Sequence, residues 1–331
     1  MAKRAEVKIF DNLNEDTKWE LEHEISYEPL WDIRHGENPQ QKAGILQTDG
    51  MADFEIVENK TLSYNEVVSI TELSNILSEF YDVCAVAIVK NSAPCGVALA
   101  PTIEEAYNKA FDCDPMASFF GTIGFSQTVD YEVAKHLNSM SVKLIIAPAV
   151  DKKALSLLNE NPSIKVVLLK TPLKDFKKLL QKDIKVTPFG TLYQDINNSS
   201  LNKNSFKVVT KTKPSTEQIE DAVFAWKISK YSRSNSIVIA KDFKTIAIAQ
   251  GFVSPVNAVE VAMNTACDGA KDAILASDTT LPTQDCIYAA AQGRISTIIQ
   301  PGGAINEDKI IELADKYNIT MILTGIENYK H

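Results

Sequence analysis

The sequence lacks the short motifs that mark several common enzyme folds. The patterns GxGxxG, GxxxxGK[ST] and GxSxG are absent from its 331 residues. Their absence argues against a dinucleotide-binding domain, a P-loop and a nucleophilic serine on a strand-to-helix turn. The chain also contains no CxxC pair, and its five cysteines are widely spaced. We therefore expect free thiols in a reducing compartment and no disulfide framework.

Long apolar runs and an excess of basic charge are missing as well. No apolar run approaches the length of a membrane-spanning helix, and the first residues lack the apolar segment of a signal peptide. The formal net charge of −9 argues against non-specific binding of nucleic acid. We therefore expect a cytoplasmic protein with no nucleic-acid or membrane partner. The negative net charge does not exclude a small ligand that carries a phosphate group, because one basic side chain or a helix N-terminus can bind it.

Short apolar runs alternate with amphipathic stretches, and 45% of the side chains are hydrophobic. This alternation predicts an α/β fold with largely parallel strand pairing. Ser215 and Gln218 form a capping-box pattern that predicts a helix from there to about residue 231. The other predicted helices are residues 102–111, 152–158, 256–267, 285–291 and 307–317. The predicted strands are residues 84–90, 143–148, 164–170, 236–241, 245–249, 272–276, 296–300 and 320–324.

The chain length predicts two lobes. Residues 1–27 are highly charged and are interpreted as an N-terminal extension. The first α/β lobe is predicted at residues 28–200 and the second at 201–331, with the boundary in a stretch rich in Asn, Ser and Gly at residues 187–204. The sequences VAIVK (residues 86–90) and IVIAK (residues 237–241) resemble each other. Either two related lobes or the general similarity of buried strands explains this likeness.

Two polar segments are candidate sites. Lys90 ends a predicted buried strand, at the carboxyl edge where open α/β sheets bind ligands, and Pro94 and Gly96 predict a tight turn after it. Arg34 and His35 precede Gly36, a residue that lets the backbone approach a ligand closely. In both cases the alternative is an ordinary polar surface loop.

A zinc deaminase is the one metal enzyme that the sequence partly suggests. That class has an H-x-E motif followed by P-C-x-x-C. His35-x-Glu37 and Pro94-Cys95 fit, but Ala98 occupies the second cysteine position. Two protein ligands do not hold a catalytic zinc ion, which normally has three. We therefore predict no zinc and no other metal ligands.

A colinear series of motifs extends from residue 34 to residue 331 and resembles one family, AICAR transformylase, where AICAR is 5-aminoimidazole-4-carboxamide ribonucleotide. This transformylase is the C-terminal half of a bifunctional formyltransferase/IMP cyclohydrolase. The motifs are RHGENPQQK (residues 34–42), LSYN (62–65), VKNSAPCGVA (89–98), LYQD (192–195), AWKISKYSRSN (225–235), ASD (276–278), IIQPGG (298–303) and LTGIENYKH (323–331).

The resemblance implies two cytidine-deaminase-like α/β lobes without the zinc site, in a homodimer. It also implies formyl transfer from the co-substrate 10-formyltetrahydrofolate to the 5-amino group of AICAR, in the synthesis of IMP. The partners are then a ribonucleotide and a folate, and a bound monovalent cation is left open. We expect the IMP cyclohydrolase domain to be absent.

The same resemblance implies roles for individual residues. Lys90 matches the family lysine that stabilises developing charge and assists departure of the folate nitrogen. Asn235 matches the asparagine that orients the reacting groups. The predicted substrate contacts are Arg34 at the nucleotide phosphate, Gly36, Ser118, Phe119, Gly121, Asp195, Asp278, Pro282 and Tyr329.

Several positions depart from the family pattern. Asn91 stands where the family has its catalytic histidine, and His35 is a candidate substitute base. Other departures are Glu66 for Asn, Pro255 and Glu327 for Arg, and Thr280 and Leu281 for two Phe of a folate-binding wall. General acid–base help is worth about 10²–10⁴ in rate. Three hypotheses therefore remain: an active transformylase, a weakened or non-catalytic nucleotide-binding homologue, and a formyltransferase with an altered donor or acceptor.

Overall fold

The computed structural model describes residues 5–11, 20–47, 50–179, 182–201 and 205–331. Its helices are α1 (Tyr64–Ser78), α2 (Ile103–Phe111), α3 (Pro115–Phe119), α4 (Tyr131–Asn138), α5 (Lys152–Asn159), α6 (Thr216–Ser229), α7 (Pro255–Ala266), α8 (Gln284–Gln292) and α9 (Glu307–Lys316). Its strands in the first half are β1 (Ala5–Asp11), β2 (Glu20–Ile33), β3 (Ala43–Gln47), β4 (Phe54–Ile56), β5 (Ala85–Lys90), β6 (Ala93–Leu99), β7 (Thr122–Phe125), β8 (Leu144–Ala147) and β9 (Lys165–Leu169). The remaining strands are β10 (Lys182–Thr187), β11 (Gly190–Asp195), β12 (Lys207–Val208), β13 (Ile237–Lys241), β14 (Lys244–Ala249), β15 (Ile274–Ser277), β16 (Thr297–Gln300) and β17 (Thr320–Leu323).

The α/β prediction is confirmed, and the large sheet shows how the elements are arranged. Its strand order is β12-β17-β16-β15-β13-β14-β6-β5-β7-β8-β9-β4. Within the described part of this sheet, the pairs β7–β8, β8–β9, β15–β16 and β16–β17 are parallel, and the other pairs are antiparallel. The prediction of largely parallel pairing is therefore wrong, because the hairpins β5–β6 and β13–β14 fill the centre of the sheet.

The second half of the chain repeats the element order of the first. The series β4, α1, β5, β6, α2, β7, α4, β8, α5, β9 corresponds to β12, α6, β13, β14, α7, β15, α8, β16, α9, β17. The two series meet where β14 lies beside β6, and the sheet order reads as a palindrome about this seam. The similar sequences VAIVK and IVIAK occupy β5 and β13. This arrangement supports two related lobes.

Both faces of the sheet are covered, which explains why its strands are almost continuously apolar. On one face α1 and α6 contribute to a core shared by both lobes, with Leu73, Ile76 and Trp226 fully buried. On the other face each lobe has its own core, with Val86 and Ile88 in the first and Ile237 and Ile239 in the second. The alternation of side chains along each central strand therefore supplies both layers.

Helix starts follow local capping. Ser63 with Glu66 and Ser215 with Gln218 both form complete capping boxes, so the helix start predicted at Ser215 is confirmed. No helix of the described residues is long and apolar enough to cross a membrane.

The predicted N-terminal extension contains two strands. A three-stranded antiparallel sheet has the order β1-β2-β3, and β2 runs through the predicted boundary between residues 27 and 28. Residues 1–4 and 12–19 of the extension lie outside the described residues. The lobe boundary predicted at residue 200 lies between β11 and β12, next to residues 202–204, which are also outside. Both boundaries stay predictions, as does the likeness of each lobe to cytidine deaminase.

Candidate functional site

One edge of the large sheet collects most of the residues that the motifs single out. Thr122 at the start of β7 pairs with Val89, so the residues before β7 lie beside Lys90 at the end of β5. Across the seam, Ile237 at the start of β13 pairs with Ser277 at the end of β15. The segments before β13 and after β15 therefore meet at this same edge, which we call the site edge.

Lys90 contacts the segment that precedes β7. Its Nζ donates a hydrogen bond to the Phe120 carbonyl at 3.1 Å and lies 5.2 Å from the centre of the Phe120 ring. Ser118 and Gly121 of this segment are buried, and Phe119 is partly exposed. A Cβ on Gly121 would lie 2.8 Å from Cγ2 of Ile88, so glycine is needed for the segment to pack against β5. The structure thus places three predicted contacts next to Lys90.

The turn after Lys90 is shorter than the sequence predicted. Pro94 and Gly96 lie within β6, and the turn consists of Asn91 and Ser92, with φ of 52° and 59°. Two positive φ angles define a type I′ hairpin, in which Asn is favoured because it tolerates the left-handed region. Gly96 has a packing role, since a Cβ there would lie 2.0 Å from the Ala110 carbonyl oxygen. The predicted tight turn at Pro94 and Gly96 is therefore wrong.

Asn235 is held by three hydrogen bonds from its side chain. Its Nδ2 donates to the carbonyl oxygens of Phe252 at 2.8 Å and Val253 at 3.3 Å. Its Oδ1 accepts from the Thr279 hydroxyl at 3.0 Å. Because these bonds come from two different loops, the amide is fixed where the loop after β14 meets the loop after β15.

Asp278 forms hydrogen bonds with the loop that contains Asn235. The carboxylate is fully buried and accepts from the Ser234 hydroxyl at 2.5 Å and the Ser236 backbone N–H at 2.6 Å. Burial raises the pKa of Asp278, although the hydrogen bonds from Ser234 and Ser236 oppose the rise. Asp278 therefore supports the loop that carries Asn235.

The last residues of the chain close over the same loop. The Lys330 backbone N–H donates to the Ser234 hydroxyl oxygen at 2.9 Å, and Lys330 Nζ pairs with Glu72 of α1 at 2.5 Å. Asn328 is buried and its backbone N–H donates to the Asp278 carbonyl at 2.9 Å. Tyr329, a predicted substrate contact, is exposed at this point.

The Lys90 and Asn235 regions meet across the seam between the lobes. A cavity of about 220 Å³ is lined by residues of both lobes, including Lys90, Pro94, Asp114 and Gln250. The Gln250 side chain also bonds both to Pro94 and to Arg233, two residues before Asn235. The Lys90 ammonium at this cavity can stabilise a developing negative charge, and the fixed Asn235 carboxamide, whose loop Gln250 connects to the cavity, can orient a reacting amine.

Other predicted site residues lie away from this cavity. Arg34 and His35 are in the loop between β2 and β3, where His35 Nδ1 lies 2.9 Å from the Gly36 carbonyl oxygen. This loop is tied to the start of α1 by a 3.2 Å bond from Asn65 Nδ2 to the Glu37 carbonyl. Asp195 is exposed in the hairpin of β10 and β11 and pairs with Lys182 at 2.9 Å.

The departures from the family pattern have structural consequences. Leu281 is fully buried in the core of the second lobe, so it cannot form part of a ligand-facing wall. Pro282 and Glu327 are exposed, and Pro255 is the first residue of α7, where proline is favoured. Glu66 serves the capping box of α1 and pairs with Lys165 at 2.8 Å.

Sequence reasoning did not identify Glu72, Gln250, Asn328 or Lys330 as residues of this edge. Asn328 and Lys330 lie inside the terminal motif LTGIENYKH, which was the available signal. Glu72 and Gln250 had no local signal, because only the sheet order brings them to the site edge. The described part of the chain holds no group of three or more His, Cys, Asp or Glu residues placed to bind a metal ion.

Comparison with known proteins agrees with the geometry. A model of the family described as "AICARFT/IMPCHase bienzyme" matches residues 3–265. The chain is 38% identical over 311 residues to the bifunctional purine biosynthesis protein PurH of Thermoanaerobacter sp. (strain X514). The aligned region covers 93% of this chain and 60% of that protein. The PurH protein of Fusobacterium nucleatum is 39% identical over 313 residues, with the same coverage. That of Chlorobaculum parvum is 36% identical over 342 residues and covers 100% of this chain and 63% of its own length.

The chain thus spans about three fifths of the length of these relatives. The family match extends over most of the chain, and the relatives match both lobes. The chain therefore belongs to the AICARFT/IMPCHase bienzyme family.

Proposed function

We propose that this chain transfers the formyl group of 10-formyltetrahydrofolate to the 5-amino group of AICAR, a step of purine biosynthesis. The family supports this reaction, and the relatives bear the name of a purine biosynthesis protein. The observation that carries the proposal is the Gln250 side chain, which lines the same cavity as Lys90 and bonds across the lobe seam both to Pro94 and to Arg233 in the Asn235 loop.

The reaction needs help at two atoms. The amine nitrogen attacks the formyl carbon, an oxyanion forms, and the bond from that carbon to N10 of the folate then breaks. The amine loses a proton and N10 gains one, so no other reactant is consumed. The Lys90 ammonium stabilises the oxyanion and assists departure of N10, and Asn235 orients the amine. Asn91 has no titratable nitrogen, so His35 remains our proposed proton acceptor; because it lies in the loop between β2 and β3 and does not line the cavity, it would have to reach the amine from that loop.

The first test replaces Lys90 and uses the internal repeat as its control. Lys241 ends β13 as Lys90 ends β5, and it is followed by Asp242 and Phe243, whose φ angles of 53° and 54° resemble those after Lys90. Lys241 lies at the opposite edge of the sheet, where its Nζ bonds to the Lys271 carbonyl at 3.3 Å. We expect Lys90→Met to abolish single-turnover formyl transfer.

Lys241→Met should leave the transfer rate unchanged, because it removes an equivalent charge far from the cavity. Formation of the formylated nucleotide is followed for the wild type and both variants, with enzyme in excess over AICAR so that each enzyme molecule turns over at most once. Equal rates for Lys90→Met and the wild type would show that Lys90 takes no part in the chemistry.

A second candidate function is nucleotide binding without efficient transfer. Leu281 is fully buried where the resemblance implies an aromatic folate wall, and Asn91 is committed to the hairpin turn. These two observations favour a weakened donor site. Such a homologue would bind AICAR and fail to transfer a formyl group to it, and an altered donor or acceptor would give the same result with these substrates.

The remaining features of the family also belong to this proposal. We propose a homodimer, with the ribonucleotide and the folate as ligands and the cytoplasm as the compartment. Arg34, Gly36, Asp195, Asp278, Pro282 and Tyr329 remain proposed substrate contacts or supports.

A further inference from the structure

The seam between the two lobes has little backbone pairing. Strand β14 pairs with β6 at a single position in register, Lys244 with Ala98, at the end of β14 that lies far from the site edge. Further along, the Thr245 hydroxyl oxygen accepts from the Val97 backbone N–H at 2.9 Å and lies 3.2 Å from the Val97 carbonyl oxygen. Toward the site edge, side-chain hydrogen bonds therefore connect β14 to β6 in place of backbone pairing.

Gln250 makes the last of these bridges, at the site edge itself. Its Nε2 donates to the Pro94 carbonyl at 2.8 Å, and its Oε1 accepts from the Arg233 backbone N–H at 3.2 Å. The partners fix the orientation of the amide, because a carbonyl only accepts and a backbone N–H only donates. Each half of the carboxamide thus has one partner in a different lobe.

The two partners of Gln250 lead directly to the two reacting regions. Pro94 pairs with Val89 in β5, at a register shift next to Lys90. Arg233 precedes Ser234 and Asn235, and its carbonyl accepts from the Gly251 backbone N–H at 2.8 Å. A movement of the Gln250 amide would therefore change the separation of Lys90 and Asn235.

We propose that Gln250 is a positioning residue that holds Lys90 and Asn235 in register across the seam. This inference rests on the proposed function, because it concerns the geometry of formyl transfer. Gln250 acts through its two backbone partners, and its contribution is the spacing between the ammonium and the carboxamide. A displacement of about 1 Å at an active site can cost about 10²-fold in rate.

The test compares Gln250→Met with Thr245→Val. Met keeps the length of the side chain and removes both hydrogen bonds, so we expect the single-turnover rate to fall by about 10- to 100-fold. The dissociation constants for AICAR and 10-formyltetrahydrofolate should stay close to those of the wild type. Thr245→Val removes a second side-chain bridge between β14 and β6, away from the site edge. It should lower the melting temperature and leave the rate near that of the wild type.

Hydrogen exchange supplies a reading that does not depend on turnover. Gln250→Met should speed exchange in the peptides that contain residues 90–96 and 232–236, whereas Thr245→Val should not. If Gln250→Met does not fold, Gln250→Asn takes its place. Its shorter side chain keeps at most one of the two bonds, so an intermediate rate is expected.

The outcomes separate the two proposals. A wild-type protein that transfers formyl groups, with Gln250→Met equally fast, overturns the role of Gln250 alone. A wild-type protein without transfer overturns the proposed function and, with it, a positioning role in that reaction. Unchanged exchange in both peptides would show that Gln250 does not hold the two loops at all.

Discussion

Among single residues, Asp278 gives the clearest dependence on pH. Burial raises its pKa above the ordinary value of 3.8. The folded state therefore binds this proton more tightly than the unfolded state. The contribution of Asp278 to the free energy of unfolding is largest below pH 3.8 and falls as the pH rises through the raised pKa of the folded state.

Asp278→Asn removes this titration while keeping a side chain of similar size. We expect the free energy of unfolding of the wild type, minus that of Asp278→Asn, to decrease as the pH rises from about 4 to 7. Urea unfolding at several pH values measures this difference. A difference that grows with pH would contradict a raised pKa.

For single residues, the sequence predicted which residues belong to the candidate site, but it did not predict which other residues contact them. It singled out Lys90, Asn235 and Asp278, and the structure places all three at the site edge. It could not find Gln250, because both of its partners are far away in the sequence. It also misread Pro94 and Gly96 as a turn, since Pro and Gly usually interrupt strands.

Between secondary structure elements, a buried ionic cluster joins α1, α6 and the segment Leu173–Lys178. Glu79 Oε1 lies 2.7 Å from Lys177 Nζ and 3.3 Å from Lys230 Nζ, and accepts from the Tyr231 hydroxyl at 2.8 Å. Only 4% of the Glu79 side chain and 1% of the Lys230 side chain is exposed. Burial alone would raise the pKa of Glu79, but the hydrogen bond from Lys177 and the charges of Lys230 and Lys177 lower it.

Glu79→Gln should therefore be strongly destabilising, because it leaves Lys230 charged and without its anion. The expected loss in the free energy of unfolding is about 3–5 kcal/mol, the usual cost of removing one partner of a buried pair. Glu132→Gln is the control, since Glu132 pairs with Lys135 on the surface of α4 and should have little effect. Denaturant unfolding of both variants tests this, and equal small losses would show that the buried cluster contributes nothing.

The sequence predicted helices well where the apolar periodicity was strong, and it predicted strand directions poorly because these depend on which strands pair. The helix at residues 102–111 is observed as α2, with Ile103, Ala106 and Ala110 buried on one face. Strand direction was wrong, because alternating strands and helices suggest parallel pairing, whereas β5–β6 and β13–β14 are hairpins. The strands β1 and β2 were missed, because their high charge was interpreted as a solvated extension although apolar residues such as Leu21, Ile25 and Tyr27 alternate with the charged ones.

For the chain as a whole, the palindromic sheet produces two similar edges, and the candidate site lies at one of them. At the site edge, the Asp278 carboxylate accepts from the Ser236 backbone N–H before β13. At the opposite edge, Ser126 occupies the corresponding position after β7 and accepts from the Ala85 backbone N–H at 2.8 Å. The scaffold is thus repeated, and the paired positions differ in their side chain, a carboxylate at the site edge and a hydroxyl at the opposite edge.

The most direct test of this account is single-turnover formyl transfer by the wild-type chain from 10-formyltetrahydrofolate to AICAR. Binding of AICAR is measured by calorimetry on the same preparation. The account predicts binding together with formation of the formylated nucleotide. Binding without any transfer would contradict it and would leave either a nucleotide-binding homologue or a transferase with an altered donor or acceptor.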